Sequence, residues 1–500
     1  MNIVDVLEHQ ARIQPHAPAF VTAQRALGYA EVAERVRRMA AALRARGVAG
    51  GDRVAVRLPN TPDYLITVLA LARLGAVGLP LHVGVRPAPM LSAFVQRFRP
   101  AAVIGLDAAK AVDGVPFIVA DASLLQALPA DAPVDGDLPG GDTPLCIAIS
   151  SGTTGNPKAI EWSHRRALQQ WERLQRLRPH GPGVRLLVLM GFDTNYAMMA
   201  GLRMLCSGGA LVVVPRINLE SMAVAIDQLG ANHVLSSPAL MAHVAETLPD
   251  DRQRFPGLLS LRLSGSSVPV SLRARLRRRL TSTVCVDYGS SEVGALSHGD
   301  SALLDQSPRS VGVVLPWVQA QAVDDAGQPL PAGQSGILRF QADGFPRAYL
   351  DDAQADAAVF RDGWFYPGDR GCIGADGTLS IDARVDELIN LGGLKINPAE
   401  IEDFLLEDAS IVDAAAYGVP LAGGRSMLLA AVVCRDGFDE ATQLTRCRAG
   451  LGRKSPQRLI RLKELPRNAA GKVLRQQLAA KTQVTIKAPA TAAPVADADV

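Results

Sequence analysis

The chain has 500 residues, of which 48% are hydrophobic and 20% are charged. A chain of this length exceeds what one hydrophobic core can organise, so we expect two or more domains. Its 52 basic and 49 acidic side chains nearly balance, which excludes a chain-wide field for holding nucleic acid or an anionic membrane.

The cysteines and the apolar segments exclude further classes of protein. Six cysteines lie far apart with no C-x-x-C pair, so we expect neither a disulfide framework nor a zinc site. The N-terminal MNIVDVLEHQ has no basic region followed by an apolar one. The most apolar window, residues 65–81, contains Arg73, Gly75 and Pro80 and falls short of a membrane span. We therefore expect a cytoplasmic protein.

The order of predicted elements indicates an α/β fold. Short apolar runs with strand character alternate with amphipathic helical stretches in the first half of the chain. The strands are predicted at residues 53–58, 102–104, 186–190, 210–214 and 283–286, and helices at 29–46 and 219–229. This alternation predicts mostly parallel sheets, whose pockets gather at the carboxyl ends of the strands. A dense basic run, RARLRRR at 273–279, is predicted as a helix with a solvated face.

The pattern changes in the last third of the chain. From about residue 335, shorter strands with the turns ADGF, RDGW and GADGT predict a β-rich subdomain. Beyond residue 385, a predicted helix at 398–407 and strands at 414–417 and 428–434 indicate a small α+β domain. We therefore predict a large N-terminal domain of two α/β subdomains plus a β-rich subdomain at 1–384, a small mobile domain at 385–485 and a disordered tail at 486–500.

The stretch SSGTTGNPK at residues 150–158 has the composition of a phosphate-binding loop. Glycines let successive N–H groups turn toward one centre, and the serine and threonine hydroxyls add donors. Lys158 adds a point charge, and it is one of eight lysines against 44 arginines. The lysine lies three residues beyond the second glycine, so this is not the Walker pattern. The predicted phosphate-contacting residues are Ser150, Ser151, Gly152, Thr153, Thr154 and Gly155.

Further motifs follow in order: YGSSE at 288–292, WFYPGD at 364–369, RVD at 384–386 with GG at 392–393, and PRNAAGK at 466–472. With the phosphate loop, they resemble the ordered motifs of the adenylate-forming superfamily of acyl-CoA synthetases, peptide adenylation domains and luciferases. The resemblance runs from about residue 5 to 480. It implies that a substrate carboxylate attacks the α-phosphorus of ATP, which releases pyrophosphate and leaves an acyl-adenylate.

The resemblance implies roles for individual residues near the phosphates. Glu292 would hold Mg²⁺ on the phosphates, and Lys158 would assist catalysis beside them. Ser291 stands where the family usually has threonine and keeps the hydroxyl for the α-phosphate. Tyr288 and Gly289 complete this nucleotide-binding element. Hard carboxylate oxygens are the ligands that Mg²⁺ prefers.

The resemblance also implies two domain orientations. Asp369 and Arg384 would reach the ribose of the nucleotide. Lys472 would enter the active site from the C-terminal domain and meet both the attacking carboxylate and the α-phosphate. Rotation about a hinge at Asp386 would then withdraw Lys472 and open a tunnel for a thiol, since a few hinge residues can absorb a domain rotation.

The acid pocket is expected in the segment GFDTNY at 191–196 and in the segments SSP at 236–238 and LSGSS at 263–267. Phe192-Asp193 with Asn195 resembles the F-D-x-S of amino-acid activators, whereas Asn195-Tyr196 resembles the asparagine–aromatic pair of aryl-acid activators. A buried Asp193 without a cationic ligand would be costly, which favours an amino-bearing acid. Alternatively, Asp193 or Thr194 caps the following helix. The predicted pocket residues are Phe192, Asp193, Asn195, Ser264 and Gly265.

The segment LGGLKINPAEIE at 391–402 resembles CoA ligases more than peptide synthetase modules. The resemblance therefore implies an acyl- or aryl-CoA ligase that uses ATP, Mg²⁺ and CoA. An alternative is a stand-alone adenylation enzyme that loads a carrier-protein phosphopantetheine. A third hypothesis, from a different class, is a non-catalytic nucleotide-binding protein.

Overall fold

A computed structural model describes residues 1–82, 88–107, 112, 114–121, 124, 137–150, 158–249, 251–385, 387–391, 394–420, 426–467 and 473–487. The chain forms two compact units. The large unit comprises Met1–Val268 and Leu272–Ile381, and the small unit begins at Asp382 and also includes Pro269–Ser271. A mixed α/β fold with a large N-terminal and a small C-terminal part matches the predicted fold class.

Most helices begin at a residue whose side chain accepts a hydrogen bond from the first turn, as Asn2 and Ser163 do. In chain order they are α1 Ile3–Ile13, α2 Tyr29–Ala45, α3 Pro62–Leu74, α4 Ala88–Phe98, α5 His164–Leu177, α6 Asn195–Cys206, α7 Leu219–Asp227, α8 Pro238–Thr247, α9 Val270–Arg279, α10 Ser301–Gln306, α11 Ala353–Val359, α12 Pro398–Leu406, α13 Glu440–Leu451 and α14 Arg475–Lys487, with a 3₁₀ turn at Gly452–Lys454.

The strands of the large unit are β1 Pro18–Val21, β2 Ala26–Gly28, β3 Arg53–Arg57, β4 Val77–Pro80, β5 Ala102–Gly105, β6 Phe117–Val119, β7 Pro144–Ser150, β8 Lys158–Ser163, β9 Arg185–Leu189, β10 Ala210–Val212, β11 His233–Ser236, β12 Ser260–Leu263, β13 Val284–Ser290, β14 Gly294–Gly299, β15 Ser310–Val314, β16 Gln319–Val323, β17 Gly336–Gln341, β18 Phe360–Arg361, β19 Trp364–Phe365, β20 Asp369–Ile373 and β21 Thr378–Arg384, which ends across the boundary. The small unit adds β22 Ile389–Leu391, β23 Leu394–Ile396, β24 Ile411–Pro420, β25 Ser426–Cys434 and β26 Leu459–Arg461. The predicted strands and helices are confirmed, with ends that differ by a few residues.

The long sheet of the large unit has the order β18-β19-β17-β20-β21-β15-β14-β13-β12-β11-β9-β10-β1-β2, with β16 paired to β17. Strands β1, β10, β9, β11, β12 and β13 pair with one another in parallel. At one end β2 pairs antiparallel with β1, and at the other β14 and β15 pair antiparallel after β13. The sheet therefore changes from crossover connections to hairpins at β13. The YGSSE motif lies at that change.

A second, six-stranded sheet has the order β6-β5-β3-β4-β7-β8. It is parallel up to β7, and the last pair, β7 and β8, is antiparallel. In that pair Ser150 lies opposite Lys158, so the two ends of the predicted phosphate loop are held side by side. The largest core cluster joins both sheets through the helices between them; its members include Val54, Leu65, Leu186 and Met198.

The small unit packs helices on a three-stranded sheet of β24, β25 and β26, next to a β22–β23 hairpin. Helix α12 begins with Asn397, whose side-chain oxygen accepts a hydrogen bond from the amide of Ala399, and Pro398 takes the first helical position. Arg475 donates to Glu387 and Glu402 at 3.0 and 2.7 Å, which ties α14 to the rest of the unit. Most of the predicted tail, 488–500, lies outside the described residues.

The basic run on α9 differs from the solvated face that the sequence predicted. Arg273 is buried and donates to the carbonyl of Pro308. Arg275 pairs with Glu246 at 2.7 Å, Arg277 pairs with Asp305, and Arg279 donates to the carbonyl of Ala245. These arginines bind groups of the large unit, because the long aliphatic stems can lie along apolar surface while the guanidinium reaches an acceptor. No helix in the described part of the chain has the length and hydropathy that crossing a membrane requires.

The start of the chain is anchored in the core. Asn2 accepts a hydrogen bond from the amide of Val4 and caps α1, while its amide nitrogen lies 3.2 Å from the ring of His164. The ring of His164 is fully buried and lies 3.4 Å from the amide of Ile3. Burial, together with the nearby terminal ammonium, lowers the pKa of His164 to about 4.

The lowered pKa of His164 predicts that the folded protein is less stable in acid. Its folded-state pKa lies below the ordinary value near 6.5, so the unfolded chain takes up a proton that the folded chain refuses between pH 6.5 and 4. Stability is therefore full above pH 6.5 and falls as the pH drops, by at most roughly 3 kcal/mol from this residue. Between pH 7 and pH 4.5, the midpoint of thermal unfolding should fall less for His164→Gln than for wild type. Equal falls in the two proteins would contradict this account.

Candidate active site

The motif YGSSE forms the tip of the β13–β14 hairpin. Strand β13 ends at Ser290, and β14 begins at Gly294. Two side chains from other elements hold the tip: Trp162 Nε1 and Asn195 Nδ2 donate to the carbonyl oxygen of Ser291 at 3.1 and 3.3 Å. The hairpin tip is therefore fastened to both β8 and the start of α6.

Gly289 permits this turn because no side chain fits there. The register shifts between Tyr288 and Gly289, which is a β-bulge, and a Cβ on Gly289 would lie 2.2 Å from the carbonyl oxygen of Gly294. That oxygen belongs to the backbone of the partner strand and cannot swing away. A residue other than glycine would force the hairpin apart.

Glu292, Tyr349 and Lys158 form a connected group. Glu292 is 9% exposed, and its Oε1 accepts a hydrogen bond from the hydroxyl of Tyr349 at 3.0 Å. Lys158 Nζ lies 5.2 Å from the centre of the same tyrosine ring, a cation–π distance. One aromatic ring thus positions the predicted phosphate-loop lysine and the predicted metal-binding glutamate.

Arg166 supports the same turn from α5. Its guanidinium donates to the carbonyl oxygen of Glu292 and stacks 3.8 Å from the Trp162 ring. Burial lowers the pKa of Arg166 to about 9, and the Glu292 charge acts in the opposite direction. The backbone and the side chain of Glu292 are therefore held by separate partners.

Asp369 lies beside Tyr288. The carboxylate is buried at the start of β20, and its Oδ2 accepts a hydrogen bond from the Tyr288 hydroxyl. The Tyr288 ring packs 6.0 Å from Phe340. A carboxylate oxygen can accept more than one hydrogen bond, so this contact is compatible with a vicinal diol at the same group.

Two predicted pocket residues near the start of α6, Phe192 and Asn195, have different surroundings. Phe192 is buried against Tyr64, with ring centres 6.0 Å apart, and its amide donates to Asn60 Oδ1 at 2.6 Å. Asn195 lies at the hairpin tip through its contact with Ser291, and its own Oδ1 is buried without a hydrogen-bond partner. Phe192 is thus a packing residue, whereas Asn195 faces the nucleotide motif.

The N-cap of α6 is Thr194, which decides between Asp193 and Thr194 as the capping residue. Thr194 Oγ1 accepts from the amide of Ala197 and donates to the carbonyl of Gly191. Asp193 is not the N-cap; its carboxylate lies 3.6 Å from His82 Nε2. Burial raises the pKa of Asp193, and the adjacent imidazole opposes that shift. The chain itself therefore places an imidazole next to Asp193, at the position where an amino-bearing substrate was expected.

Ser264 and Gly265 follow directly after β12. Ser264 is buried, and its amide donates to the carbonyl of Ser236 at 3.3 Å, which continues the parallel ladder. Gly265 has a φ of +97°, in the region that favours glycine. Both residues therefore lie at the carboxyl edge of the long sheet, next to the β13 end.

The other predicted site residues are placed as follows. Arg384, in the small unit, lies 3.9 Å from Glu387 Oε1. Ser150 ends β7, although its side chain is outside the described set. Also outside the described residues are Ser151, Gly152, Thr153, Thr154, Gly155, Asp386, Gly392, Gly393 and Lys472.

The donor chemistry fits Mg²⁺ at Glu292. A carboxylate oxygen suits this ion, which is usually held by one or two carboxylates together with substrate phosphates rather than by an all-protein cage. No group of three or more His, Cys, Asp or Glu side chains that could hold a metal occurs among the described residues.

Sequence reasoning missed the residues that position the motif. Trp162, Arg166, Tyr349 and His82 contact predicted site residues from distant parts of the chain. The partners of Ser291 and Glu292 are separated from them by 57 to 129 positions. No spacing rule connects such residues, because the contacts depend on how strands and helices pack.

Gly289→Ala tests the hairpin. The new Cβ meets the Gly294 backbone, so we expect a displaced motif, a cost of about 1–3 kcal/mol and loss of nucleotide binding. Gly257→Ala is the matched control, since a Cβ there meets nothing within 4 Å. Calorimetric titration with ATP checks this. Unchanged ATP affinity in Gly289→Ala would be incompatible with the proposed bulge constraint.

Tyr349→Phe tests the link to Glu292. The variant keeps the ring beneath Lys158 and removes the hydroxyl that donates to the carboxylate, a bond worth about 1 kcal/mol. We expect a modest rise, on the order of fivefold, in the Mg²⁺ concentration needed for half-maximal activity. Tyr349→Ala, which also removes the ring, should have the larger effect. Identical Mg²⁺ dependence of wild type and both variants would remove Tyr349 from this role.

Three proteins are similar to this chain along nearly its whole length. Indoleacetate–CoA ligase of Aromatoleum aromaticum is 31% identical over 96% of this chain and 99% of that protein. A feruloyl-CoA synthase of Amycolatopsis sp. is 29% identical over 94% and 96%. The crystal structure of ATP-bound MatB from Rhodopseudomonas palustris superposes with a TM-score of 0.87 at 25% identity, over 97% of this chain and all of that one.

The predicted enzyme class, an adenylate-forming acid–thiol ligase, is confirmed by these relatives. The AMP-binding enzyme family matches residues 7–350, and the AMP-binding enzyme C-terminal domain matches residues 400–472. The chain belongs to the AMP-binding enzyme family.

Proposed function

We propose that this enzyme joins a carboxylic acid to CoA in two steps. In the first, a carboxylate oxygen of the acid bonds to the α-phosphorus of ATP, and the bond from that phosphorus to the β-phosphate oxygen breaks. Acyl-adenylate and pyrophosphate result. In the second step the CoA sulfur bonds to the acyl carbon, AMP leaves, and the thiol proton is released.

The connected group of Lys158, Tyr349 and Glu292 is the observation that carries this proposal. It places a cation and a carboxylate on one aromatic ring next to the two ends of the phosphate loop. Bringing two anions together requires charges that are held in place before the reaction. Glu292 would hold Mg²⁺, which neutralises phosphate charge when bound, and Lys158 would offset the charge of the phosphates.

Nucleotide recognition is proposed for the neighbouring hairpin and β20. Ser291 offers a hydroxyl to the α-phosphate, and Asp369 offers acceptor oxygens to the ribose hydroxyls. Tyr288 orients Asp369 through its hydrogen bond. Arg384 is proposed as a further ribose contact. The serine and glycine residues at 150–155 are proposed as the phosphate cradle.

The small domain is proposed to act in both steps. Lys472 would bring its ammonium to the carboxylate and the α-phosphate during adenylation, and rotation at Asp386 would withdraw it before thiol attack. A lysine suits a transient contact because it is a compact charge on a flexible stem.

The acid is proposed to be an acyl or aryl acid rather than an α-amino acid. The amino-acid pattern depends on an aspartate that meets the substrate ammonium, and here His82 lies 3.6 Å from that aspartate, Asp193. Asn195, with its buried unpartnered Oδ1, is the polar group that faces the motif. The named relatives act on indoleacetate and ferulate, both aromatic acids.

A carrier-protein phosphopantetheine remains the alternative acceptor. The two named relatives form CoA thioesters, which favours CoA. Purified enzyme with ATP and an accepted acid should form a thioester with free CoA. Thioester formation only with a phosphopantetheinylated carrier would instead support the loading enzyme.

The activity itself is tested by pyrophosphate release with a panel of benzoates, fatty acids and amino acids. We expect release that depends on both ATP and one class of acid. If no acid in a broad panel supports release, the non-catalytic nucleotide-binding protein becomes the better hypothesis.

Lys472→Ala separates the two steps. The variant should lose adenylation by roughly a hundredfold or more, because a charge at the reacting groups is removed. It should keep the conversion of supplied acyl-adenylate and CoA to the thioester. Pyrophosphate release measures the first step, and thioester formation measures the second. Equal losses in both steps would remove the two-orientation account.

A further inference from the structure

Three arginines, one buried and two partly buried, line a cavity of the large unit. This cavity, between α5, α6 and the long sheet, encloses about 30 Å³ of space for water-sized groups. A carboxylate or sulfonate oxygen fits such a space, because a single water molecule needs only about 10–15 Å³. Three of its lining residues are arginines, namely Arg178 after α5, Arg203 on α6 and Arg262 on β12.

The positive charge in this cavity exceeds the negative charge. Asp287 lies against Arg178 at 2.9 Å and accepts from the Tyr196 hydroxyl at 2.8 Å. Burial works against the charge of Asp287, but Arg178 and His298 outweigh it and hold the pKa of the carboxyl well below its usual range. Among the described residues, Asp287 is the carboxylate whose charge acts on these arginines.

The other polar groups do not supply the missing negative charge. Arg203 donates to the neutral Gln170 side chain at 3.2 Å, and burial lowers its pKa to about 10. Burial also lowers the pKa of His180 and of His233 to about 4, so both rings are neutral near pH 7. Three guanidinium groups facing one carboxylate leave two positive charges without a partner.

Arg262 is the least satisfied of these groups. It is 8% exposed, forms no hydrogen bond to any described residue, and its Nε is buried without an acceptor. Arg178 Nε is likewise buried without an acceptor. Buried charges in proteins are normally paired, because an unpaired one forfeits its hydration. Two unsatisfied N–H groups in one cavity indicate a binding site for an anion.

This cavity lies on the same face of the long sheet as the proposed acid site. Arg262 precedes Ser264 by two positions, so both side chains point to the same face of the sheet, about 7 Å apart along the strand. Asp287 shares that face on β13, because Arg262 pairs with Cys285 and Asp287 follows it by two positions. On α6, Tyr196 follows Asn195 and bonds to Asp287. The arginines thus lie one layer deeper than the motif where the carboxylate reacts.

We infer that the preferred acid of this enzyme carries a second anionic group, a carboxylate or a sulfonate, at the end remote from the reacting carboxylate. This inference rests on the proposed function and specifies the substrate class of the same site. The second anion would accept from Arg262 and Arg178. A neutral tail would leave two buried charges unpaired, so discrimination against it should be strong.

Matched pairs of acids test the inference: adipate against hexanoate, and terephthalate against 4-methylbenzoate. Pyrophosphate release by wild type should favour the diacid, and the preference, measured as a ratio of kcat/KM, should fall about 30-fold or more in Arg262→Met. Arg262→Lys should retain part of the preference. Arg216→Met, at an exposed arginine, is the control and should retain all of it.

Thermal unfolding distinguishes a binding role from a structural one. Removing an uncompensated buried charge should raise the unfolding midpoint of ligand-free Arg262→Met. Diacids should stabilise wild type against heat and stabilise Arg262→Met less. A lower midpoint in Arg262→Met would mean that the arginine supports the fold, and it would overturn the inference.

The remaining outcomes separate this inference from the proposed function. Release that favours the monoacids overturns the inference and leaves the proposed function intact. Release with no acid at all argues against the proposed function, and the diacid-induced shift in the unfolding midpoint then decides whether the cavity binds anions. An absent shift in wild type overturns the inference in that case.

Discussion

The close approach of two backbones at Gly289 is the constraint on which the site depends. Without a side chain at that position, β13 and β14 meet tightly enough to form a bulge and then a short turn. The turn carries Ser291 and Glu292, and the carbonyl oxygen of Ser291 becomes the acceptor for Trp162 and Asn195. One missing methyl group thus allows two distant segments to reach the same oxygen.

The position of this turn within the long sheet supports the proposal that the active site lies there. The carboxyl ends of parallel strands lie at one edge of a sheet. Strand β13 pairs in parallel with β12 and antiparallel with β14, so it lies where the two arrangements meet. Ligand sites in α/β sheets lie at such edges. Ser264 after β12 and Glu292 after β13 therefore lie toward the same edge of the sheet, although they belong to separate motifs.

The same face of the sheet carries an unusual polar layer beneath the edge. Residues deeper in a sheet of this kind are normally apolar, as Leu186 and Leu235 are here. Arg262 and Asp287 interrupt that pattern on adjacent strands. Their burial costs free energy that a fold alone does not require. A ligand that carries negative charge provides a physical reason for the layer.

The sequence by itself determined the fold class, the order of elements and the motifs of the nucleotide site. Hydrophobic periodicity depends on local geometry, so strands such as Arg53–Arg57 and helices such as Tyr29–Ala45 were predictable to within a few residues. The glycine and hydroxyl pattern of the predicted phosphate loop is likewise a local feature of the sequence, so it could be recognised without the tertiary structure. By contrast, the basic run on α9 was misjudged, because its acceptors come from other elements.

Only the tertiary structure decided which side chains complete the site. It assigned the cap of α6 to Thr194 and gave Asp193 a partner in His82, two choices that the sequence left open. It brought Tyr349 between Lys158 and Glu292, and it placed Arg262 in a cavity without an acceptor. These contacts join residues that are far apart in the chain, and their energies depend on burial, which no local pattern specifies.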